Sequence, residues 1–192
     1  MKYAPIYFAL IIVSACTNKI KNTESEGSSI ASNLQSIFSK TDSAWALMIK
    51  SDDNKIQNLK RLTKELQLIE GSSESQLNKL SSQIDSLNLF RYSRISMQNS
   101  FVIDLYDSVT NKAIFEVKKQ INQNKNATKY QLVNQLISEI QAADDSVLQY
   151  RKAYDHTVDG YNKYLKVNRK NLKRNYPGFD TLKKYSVFRL FE

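Results

Sequence analysis

Hydrophobic side chains recur along this chain at alternating gaps of three and four residues. The longest such stretch is residues 129–173, where one heptad register holds for about six turns of helix. A helix with a single apolar stripe of this kind packs against other helices. The stripe consists of Val133, Leu136, Ile137, Ile140, Val147, Tyr154, Val158, Tyr161, Leu165 and Leu172.

An earlier stripe predicts a long helix over residues 30–69. Its apolar positions resume at Leu59, eleven residues after Met48 and beyond a polar run, so we predict that the register survives through a stutter. The alternative is a true break, with Asp52 or Asp53 capping a new helix. We favour one continuous helix that is locally unwound.

A second stripe runs from Leu77 to about Ile121. Gly71 supplies a C-cap for the first helix, Ser73 an N-cap for the second, and residues 122–126 form a polar turn before the third. Glycine and proline are otherwise scarce, and no alternating strand pattern occurs. We therefore predict an all-α fold, an elongated antiparallel bundle of three long helices, each about 60 Å, with a short C-terminal tail.

The N-terminus predicts export. Residues 1–15 have the form of a signal peptide, whose apolar part, residues 6–13, spans only about 12 Å and is too short to cross a membrane. The segment ends in Val-Ser-Ala followed by Cys16, which resembles a bacterial lipobox. In a lipobox the cysteine is acylated, for example with palmitate, and becomes the new N-terminus. The alternatives are a plain secretory signal and a buried free cysteine.

The remaining chain predicts a tether and one domain. Cys16 is the only cysteine, so the chain has no internal disulfide and no thiolate metal site. Residues 16–29 are polar and aperiodic, which is typical of a flexible tether. Residues 30–192 then form one helical bundle domain. The end of the tail, residues 185–192, is aromatic and either folds back on the bundle or serves as an exposed docking peptide.

Two tyrosine pairs in the third helix carry a family resemblance. After Arg151 come Tyr154 with Asp155 and, one heptad later, Tyr161 with Asn162. This pattern resembles the C-terminal signature of the LemA family, in which a tyrosine-asparagine pair recurs after seven residues. The first pair departs from it, because aspartate replaces asparagine, and the phenylalanine-proline step of the family is missing.

The resemblance extends weakly to the first helix, where Ala44 and Trp45 are similar to an alanine-tryptophan element of the family. It implies a long helical bundle held outside the cytoplasm, and no settled activity. From the residues themselves, Tyr154 and Tyr161 are best interpreted as packing residues, since tyrosine buries its ring and points its hydroxyl at a polar partner. Asp155 and Asn162 would then form hydrogen bonds with an adjacent helix. The other interpretation of the two pairs is that they form a surface that binds a partner.

No catalytic constellation is evident in the sequence. His156 is adjacent to Asp155 and three residues from Asp159, but a helical surface often presents such polar neighbours, and a zinc site needs three or four ligands. No glycine-rich phosphate loop, serine elbow or HExxH motif occurs. We therefore expect a protein that is not an enzyme, with no catalytic residue, no metal and no cofactor.

The positive charge is concentrated at the C-terminal end. The chain carries 28 basic and 19 acidic residues, and nine of the basic ones against two acidic ones fall within residues 160–192. Three helices would put this end about 60 Å from the lipid, far beyond a Debye length of about 8 Å. We therefore expect the patch to contact something else, unless the rod lies flat on its tether. The candidate binding residues are Lys163, Lys166, Arg169, Lys170, Lys173, Arg174, Lys183 and Lys184.

These observations predict a non-catalytic, lipid-anchored helical scaffold or interaction protein of the bacterial cell envelope. Its domain lies outside the cytoplasm, and its partner is a protein, anionic lipid head groups or an acidic envelope polymer. Nucleic acid is not expected, because an exported protein meets little of it. The alternative is an accessory subunit or sensor of a membrane protease or transport assembly, which only family analogy favours.

Overall fold

A computed structural model describes the backbone of residues 17–188 and the side chains of residues 29–188. The signal peptide, Cys16 and residues 189–192 lie outside the described residues. All regular secondary structure in the described part is helical, without strands, which confirms the all-α prediction. Its α-helices are α1 (Thr17–Gln67), α2 (Glu74–Phe90), α3 (Ser100–Gln123), α4 (Gln131–Asp145), α5 (Val147–Val167) and α6 (Arg169–Asn175). Short 3-10 helices cover Ser96–Gln98, Ala127–Lys129 and Phe179–Thr181.

Helix α1 is continuous for 51 residues, or about 75 Å, so the chain does not break at Asp52 or Asp53. The expected stutter is wrong, because Asp52 and Lys55 are themselves buried in the core and keep the heptad spacing regular between Met48 and Leu59. The helix also begins at Thr17, inside the segment predicted as an aperiodic tether. That segment has one glycine and no proline, and a helix extends easily once its packed part has formed.

The prediction of three long helices is not confirmed, because the second one is interrupted between α2 and α3. Arg91 has an extended backbone (φ −63°, ψ 133°), and Asn99 caps α3 by accepting a hydrogen bond from the Phe101 amide at 3.1 Å. We refer to residues 91–99, which join α2 to α3, as the connecting loop. Two arginines hold it against α1: Arg91 pairs with Asp53 at 2.6 Å, and Arg94 pairs with Asp42 at 2.5 Å. Single-residue interruptions also separate α4 from α5 and α5 from α6.

The connecting loop adds one reversal of the chain. Helix α2 runs antiparallel to α1 and α3 runs parallel to it, so that the α4–α6 segment runs antiparallel to α1 and returns to its N-terminal half. There the Tyr164 hydroxyl donates a hydrogen bond to the Ile30 carbonyl at 3.0 Å. The last helices therefore lie beside α1 at about Ile30 and Leu34, and they run opposite to the direction expected from three helices.

The core is built along α1 in three parts. Its C-terminal half packs with α2, α3 and α4 through an aliphatic cluster, and its N-terminal half packs with α5, α6 and the tail through a more aromatic one. Between them lies a mixed cluster that also includes the connecting loop. Its buried members are Met48, Tyr92, Met97, Ile103, Tyr106, Tyr154, Val158 and Phe188.

The turn after α1 departs from the predicted caps, because α1 ends at Gln67, four residues before Gly71, and the Ser73 side chain forms no capping hydrogen bond. Gly71 has φ 86°, in the left-handed region that glycine adopts without strain, and Ser73 is the N-cap residue of α2. The tail beyond α6 folds back along α5 as far as Phe188, which confirms the fold-back alternative for its described part. Within residues 17–188, every helix is too short or too polar to span a lipid bilayer.

Candidate functional site

A layer of buried charges lies at the middle of the bundle. Lys55 Nζ is 3.5 Å from Asp52 Oδ1 and 3.3 Å from Asp144 Oδ1, which links α1 to α4. Asp52 also accepts a hydrogen bond from the Tyr106 hydroxyl and lies 3.1 Å from Nη2 of Arg91. Burial and the neighbouring Asp52 carboxylate raise the pKa of Tyr106 well above its usual range. This layer joins four elements, and its acidic and basic groups neutralise one another.

Arg151 of α5 links α3 and the connecting loop to the tail. Its guanidinium donates hydrogen bonds to both carboxylate oxygens of Asp107, at 2.7 and 2.6 Å, and to the Tyr92 hydroxyl at 3.2 Å. The same group lies over the Phe188 ring, 4.9 Å from its centroid. Burial opposes the charged form, but the bonds with Asp107 and Tyr92 outweigh it and raise the pKa of Arg151. The sequence singled out this residue only through its family resemblance.

The two signature tyrosines are buried against the tail. The Tyr161 ring stacks on the Tyr185 ring at a centroid distance of 5.0 Å, and the Tyr154 ring meets the Phe188 ring edge-on at 5.8 Å. Burial raises the pKa of each signature tyrosine to about 12. Both hydroxyls therefore keep their protons at physiological pH, and the rings pack against the tail.

The partners of the two tyrosines bind the backbone of the tail. Asn162 donates to the Tyr185 carbonyl at 2.9 Å and accepts from the Tyr185 amide at 3.0 Å. Asp155 accepts from the Phe188 amide at 2.9 Å. Burial raises the pKa of Asp155, and its bond with the Phe188 amide acts in the opposite direction. The prediction that Asp155 and Asn162 bond a neighbouring helix is therefore wrong, because both side chains bind the returning tail.

The tail lies in a groove that α1, α5 and the connecting loop form together, and we call it the tail groove. Beside the tail, the groove widens into a cleft of about 510 Å³ with Phe38 and Tyr176 among its lining residues. Arg94 lies at the cleft with its guanidinium over the rings of Trp45 and Tyr185, 5.3 and 5.2 Å from their centroids. An aromatic, positively charged surface thus borders the tail.

The eight residues of the predicted basic patch lie on α5, α6 and the tail, and we refer to them together as the basic face. All eight residues are solvent-exposed, and none of them forms an ion pair within residues 29–188. Six of them belong to α5 and α6, whose Leu172 packs with Leu34 of α1. The sequence predicted this charge about 60 Å from the lipid anchor, at the far end of a three-helix rod, whereas the additional reversal at the connecting loop brings it back beside the N-terminal half of α1. The basic face consists of Lys163, Lys166, Arg169, Lys170, Lys173, Arg174, Lys183 and Lys184.

The surroundings of His156 contain no assembled metal site. His156 and Asp159 are exposed, and Asp155 is committed to the tail backbone. Within residues 17–188, the structure has no group of three or more histidine, cysteine, aspartate or glutamate residues arranged to hold a metal ion.

The fold and the groove define a class: an all-α bundle whose C-terminal tail occupies a groove on its own surface. Comparison with known proteins adds no family, because no family model, no curated protein and no solved structure matches the chain. The resemblance to the LemA family therefore remains a prediction that rests on the residues that carry it.

Proposed function

We propose that this is a non-catalytic, lipid-anchored interaction protein of the bacterial cell envelope, with its helical domain outside the cytoplasm. The acylated Cys16 is its anchor, and the basic face is its contact with anionic lipid head groups of the same membrane. The LemA family is the family we propose for it, with the paired tyrosines of α5 as the shared feature.

One contact carries this proposal. The hydrogen bond between Tyr164 and Ile30 brings the α5 end of the basic face beside the N-terminal part of α1. From Ile30 back to Thr17 the chain is helical, a distance of about 20 Å, and Cys16 precedes Thr17 directly. The α5 cations thus lie about 20 Å of helix beyond Thr17, which exceeds a Debye length of about 8 Å, so we propose that this first part of α1 lies along the membrane surface and does not stand upright on it.

In this arrangement the acyl chain and the basic face strengthen each other's attachment to the membrane. A lysine or arginine near an anionic membrane surface contributes about 1 kcal/mol, and its attraction decays within a Debye length of about 8 Å. An acyl chain reinforced by a polybasic surface holds a protein far more firmly than one chain alone. The basic face is therefore expected to fix the orientation of the bundle on the membrane as well as its attachment.

The anchor is tested by labelling cells with an alkyne analogue of palmitate. The full-length protein should incorporate the label and fractionate with membranes, and the Cys16→Ser variant should do neither. Label on the variant, or membrane association equal to that of the wild type, would contradict the lipid anchor.

The basic face is tested by vesicle flotation of mature chains carrying Cys16→Ser, so that charge alone drives binding. A variant with four lysines of the face changed to glutamine should lose at least tenfold in binding to vesicles with 30% anionic lipid, because each lysine contributes about 1 kcal/mol. Binding should also fall steeply between 50 and 500 mM salt. The four positions are Lys163, Lys166, Lys170 and Lys173.

A matched control removes four exposed lysines from the other half of the bundle and should bind as the parent does. If both variants bind equally, the basic face does not contact lipid. Retention on purified acidic cell-wall polymer, without vesicle binding, would make the polymer the partner instead. The control positions are Lys64, Lys79, Lys112 and Lys125.

A further inference from the structure

We propose that the tail groove is a binding site for an extended peptide segment of another protein, one with aromatic residues three positions apart. Residues 182–188 of the chain's own tail occupy it as an internal competitor. This inference adds a site to the proposed interaction protein, and it requires neither the lipid anchor nor the basic face.

The spacing of the groove residues matches an extended chain. The Tyr154–Asp155 pair and the Tyr161–Asn162 pair are seven residues apart on α5, a rise of about 10.5 Å. Three residues of extended chain span about 10 Å. The two pairs therefore contact two residues of an extended peptide that are three positions apart. Tyr185 and Phe188 of the tail have this spacing.

The polar half of each pair recognises backbone, which every peptide has. Asn162 binds both the amide and the carbonyl of one residue, at 3.0 and 2.9 Å, and Asp155 accepts from the amide three residues later at 2.9 Å. Within the described chain, residues 183–188 form no backbone–backbone hydrogen bond of their own. These side-chain contacts therefore align the peptide whatever its sequence.

The aromatic surfaces supply the selectivity. One position is held by the Tyr161 ring and by Arg94, whose guanidinium is 5.2 Å from the ring centroid of Tyr185. The second aromatic position is held by the Tyr154 ring and by Arg151, whose guanidinium is 4.9 Å from the ring centroid of Phe188. Backbone bonds that give affinity, combined with spaced side-chain pockets that give specificity, are the usual means by which proteins bind extended peptides.

The present occupant is not itself part of any helix. The tail follows α6 at the C-terminal end of the described chain, beyond an exposed Pro177. The cleft of about 510 Å³ beside it leaves the groove wider than the tail alone fills. Because the tail is part of the same molecule, it competes at a high effective concentration, so a peptide binds the intact chain weakly and a chain with a released tail strongly.

The test uses a fluorescent peptide with the sequence of residues 179–188 and the full-length protein in detergent. Tyr185→Ala combined with Phe188→Ala releases the tail. Fluorescence anisotropy should show at least tenfold tighter binding to this variant than to the wild type. Adding Asn162→Ala should abolish the gain, and adding Asn171→Ala, at an exposed position of α6, should not.

Two further peptides examine the spacing. A peptide that keeps only the two aromatic residues, three positions apart in an alanine–serine background, should bind the tail-released variant. A peptide with one residue inserted between them should bind at least tenfold more weakly, because the second aromatic residue no longer reaches its position.

A measurement on the wild type covers the case in which the released variant is poorly folded. Excess peptide should expose the tail and accelerate tryptic cleavage after Lys183 and Lys184. No binding to a tail-released variant of wild-type helicity would overturn the proposal, and so would binding that ignores Asn162 or the inserted residue. A concentration-dependent dimer formed by tail exchange would assign the groove to a second copy of the chain and overturn the assignment to another protein.

Discussion

Arg151 on α5 and Asp107 on α3 form a two-pronged ion pair, with nitrogen–oxygen distances of 2.7 and 2.6 Å. The arginine is 4% exposed, whereas the aspartate side chain is 36% exposed, so solvent reaches the pair from the aspartate side only. Asp107→Ala leaves the guanidinium buried without its counter-charge. We expect the free energy of unfolding to fall by roughly 2 kcal/mol, less than for a fully buried pair because of this screening, as measured by urea denaturation.

The control for this prediction is Asp104→Ala, which removes an exposed carboxylate one turn earlier on α3. It should change the stability by no more than about 0.5 kcal/mol. Equal effects of the two substitutions would show that Arg151 does not depend on Asp107.

The hydroxyl of Tyr154 is buried and has no hydrogen-bond partner within the described residues. Such a group costs about 1–3 kcal/mol, so Tyr154→Phe should raise the free energy of unfolding by about 1 kcal/mol while keeping the ring contacts with Trp45 and Phe188. Tyr106→Phe is the counterpart, because that hydroxyl donates to Asp52, and its loss should destabilise the protein by about 1 kcal/mol. Urea denaturation measures both changes. A loss of stability in both variants would contradict the prediction that only the Tyr106 hydroxyl stabilises the protein.

Asp155 should make the protein less stable as the pH rises. Burial is the main cause that raises its pKa, with Asp159 adding to the effect and the Phe188 amide and Arg151 opposing it. A carboxyl with a raised pKa binds its proton more tightly in the folded state, so stability falls between the ordinary aspartate pKa of about 4 and the raised value. Asp155→Asn keeps an acceptor oxygen for the tail and removes the buried charge.

We therefore expect Asp155→Asn to be more stable than the wild type at pH 7, with a difference that closes towards pH 4. Urea denaturation at several pH values measures this, with Asp159→Asn, at an exposed position, as the control. A variant less stable than the wild type at pH 7 would mean that the charge itself is needed to hold the tail.

Two glycine substitutions should have opposite signs. Gly71 has φ 86°, so Gly71→Ala forces alanine into a strained backbone and should cost about 1 kcal/mol, although its new methyl group meets Asn124 only at ordinary contact distance. Gly160 lies within α5, where an added methyl group meets nothing within 4 Å. Gly160→Ala should therefore stabilise the protein by about 1 kcal/mol. Thermal denaturation of both variants measures the two changes in stability. Two changes in the same direction would contradict the prediction.

The apolar spacing was sufficient for the fold class and for most of the core, but it failed at the connecting loop. Ile95 follows Leu87 and precedes Val102 at spacings that look like one helix, yet it is 80% exposed, while Tyr92 and Met97 turn inward. Where the helix is interrupted, two arginines pair with carboxylates on α1, 38 and 52 residues earlier in the sequence, and hold the loop there. A local pattern contains no information about such distant partners.

The candidate site was predictable to a similar degree. The positions of Tyr154 and Tyr161 on the stripe were enough to predict their burial. The partners of Asp155 and Asn162 were not predictable, because they are backbone groups of a distant segment. The buried Asp52 and Lys55 had a signal that was overlooked: they fill the heptad positions between Met48 and Leu59, where apolar residues were expected.

The length of α1 has a consequence for the order of folding. Thr41 bonds to Thr157, 116 residues later, and Ile30 bonds to Tyr164, 134 residues later. Contacts so distant in sequence form slowly, because a long loop must close before any of them is gained. The aliphatic half of α1 can be covered early by the α2–α3 hairpin, but its aromatic half stays open until α5 has been synthesised. A chain released before that point would carry an uncovered aromatic stripe, which is the surface by which nascent proteins aggregate or bind chaperones.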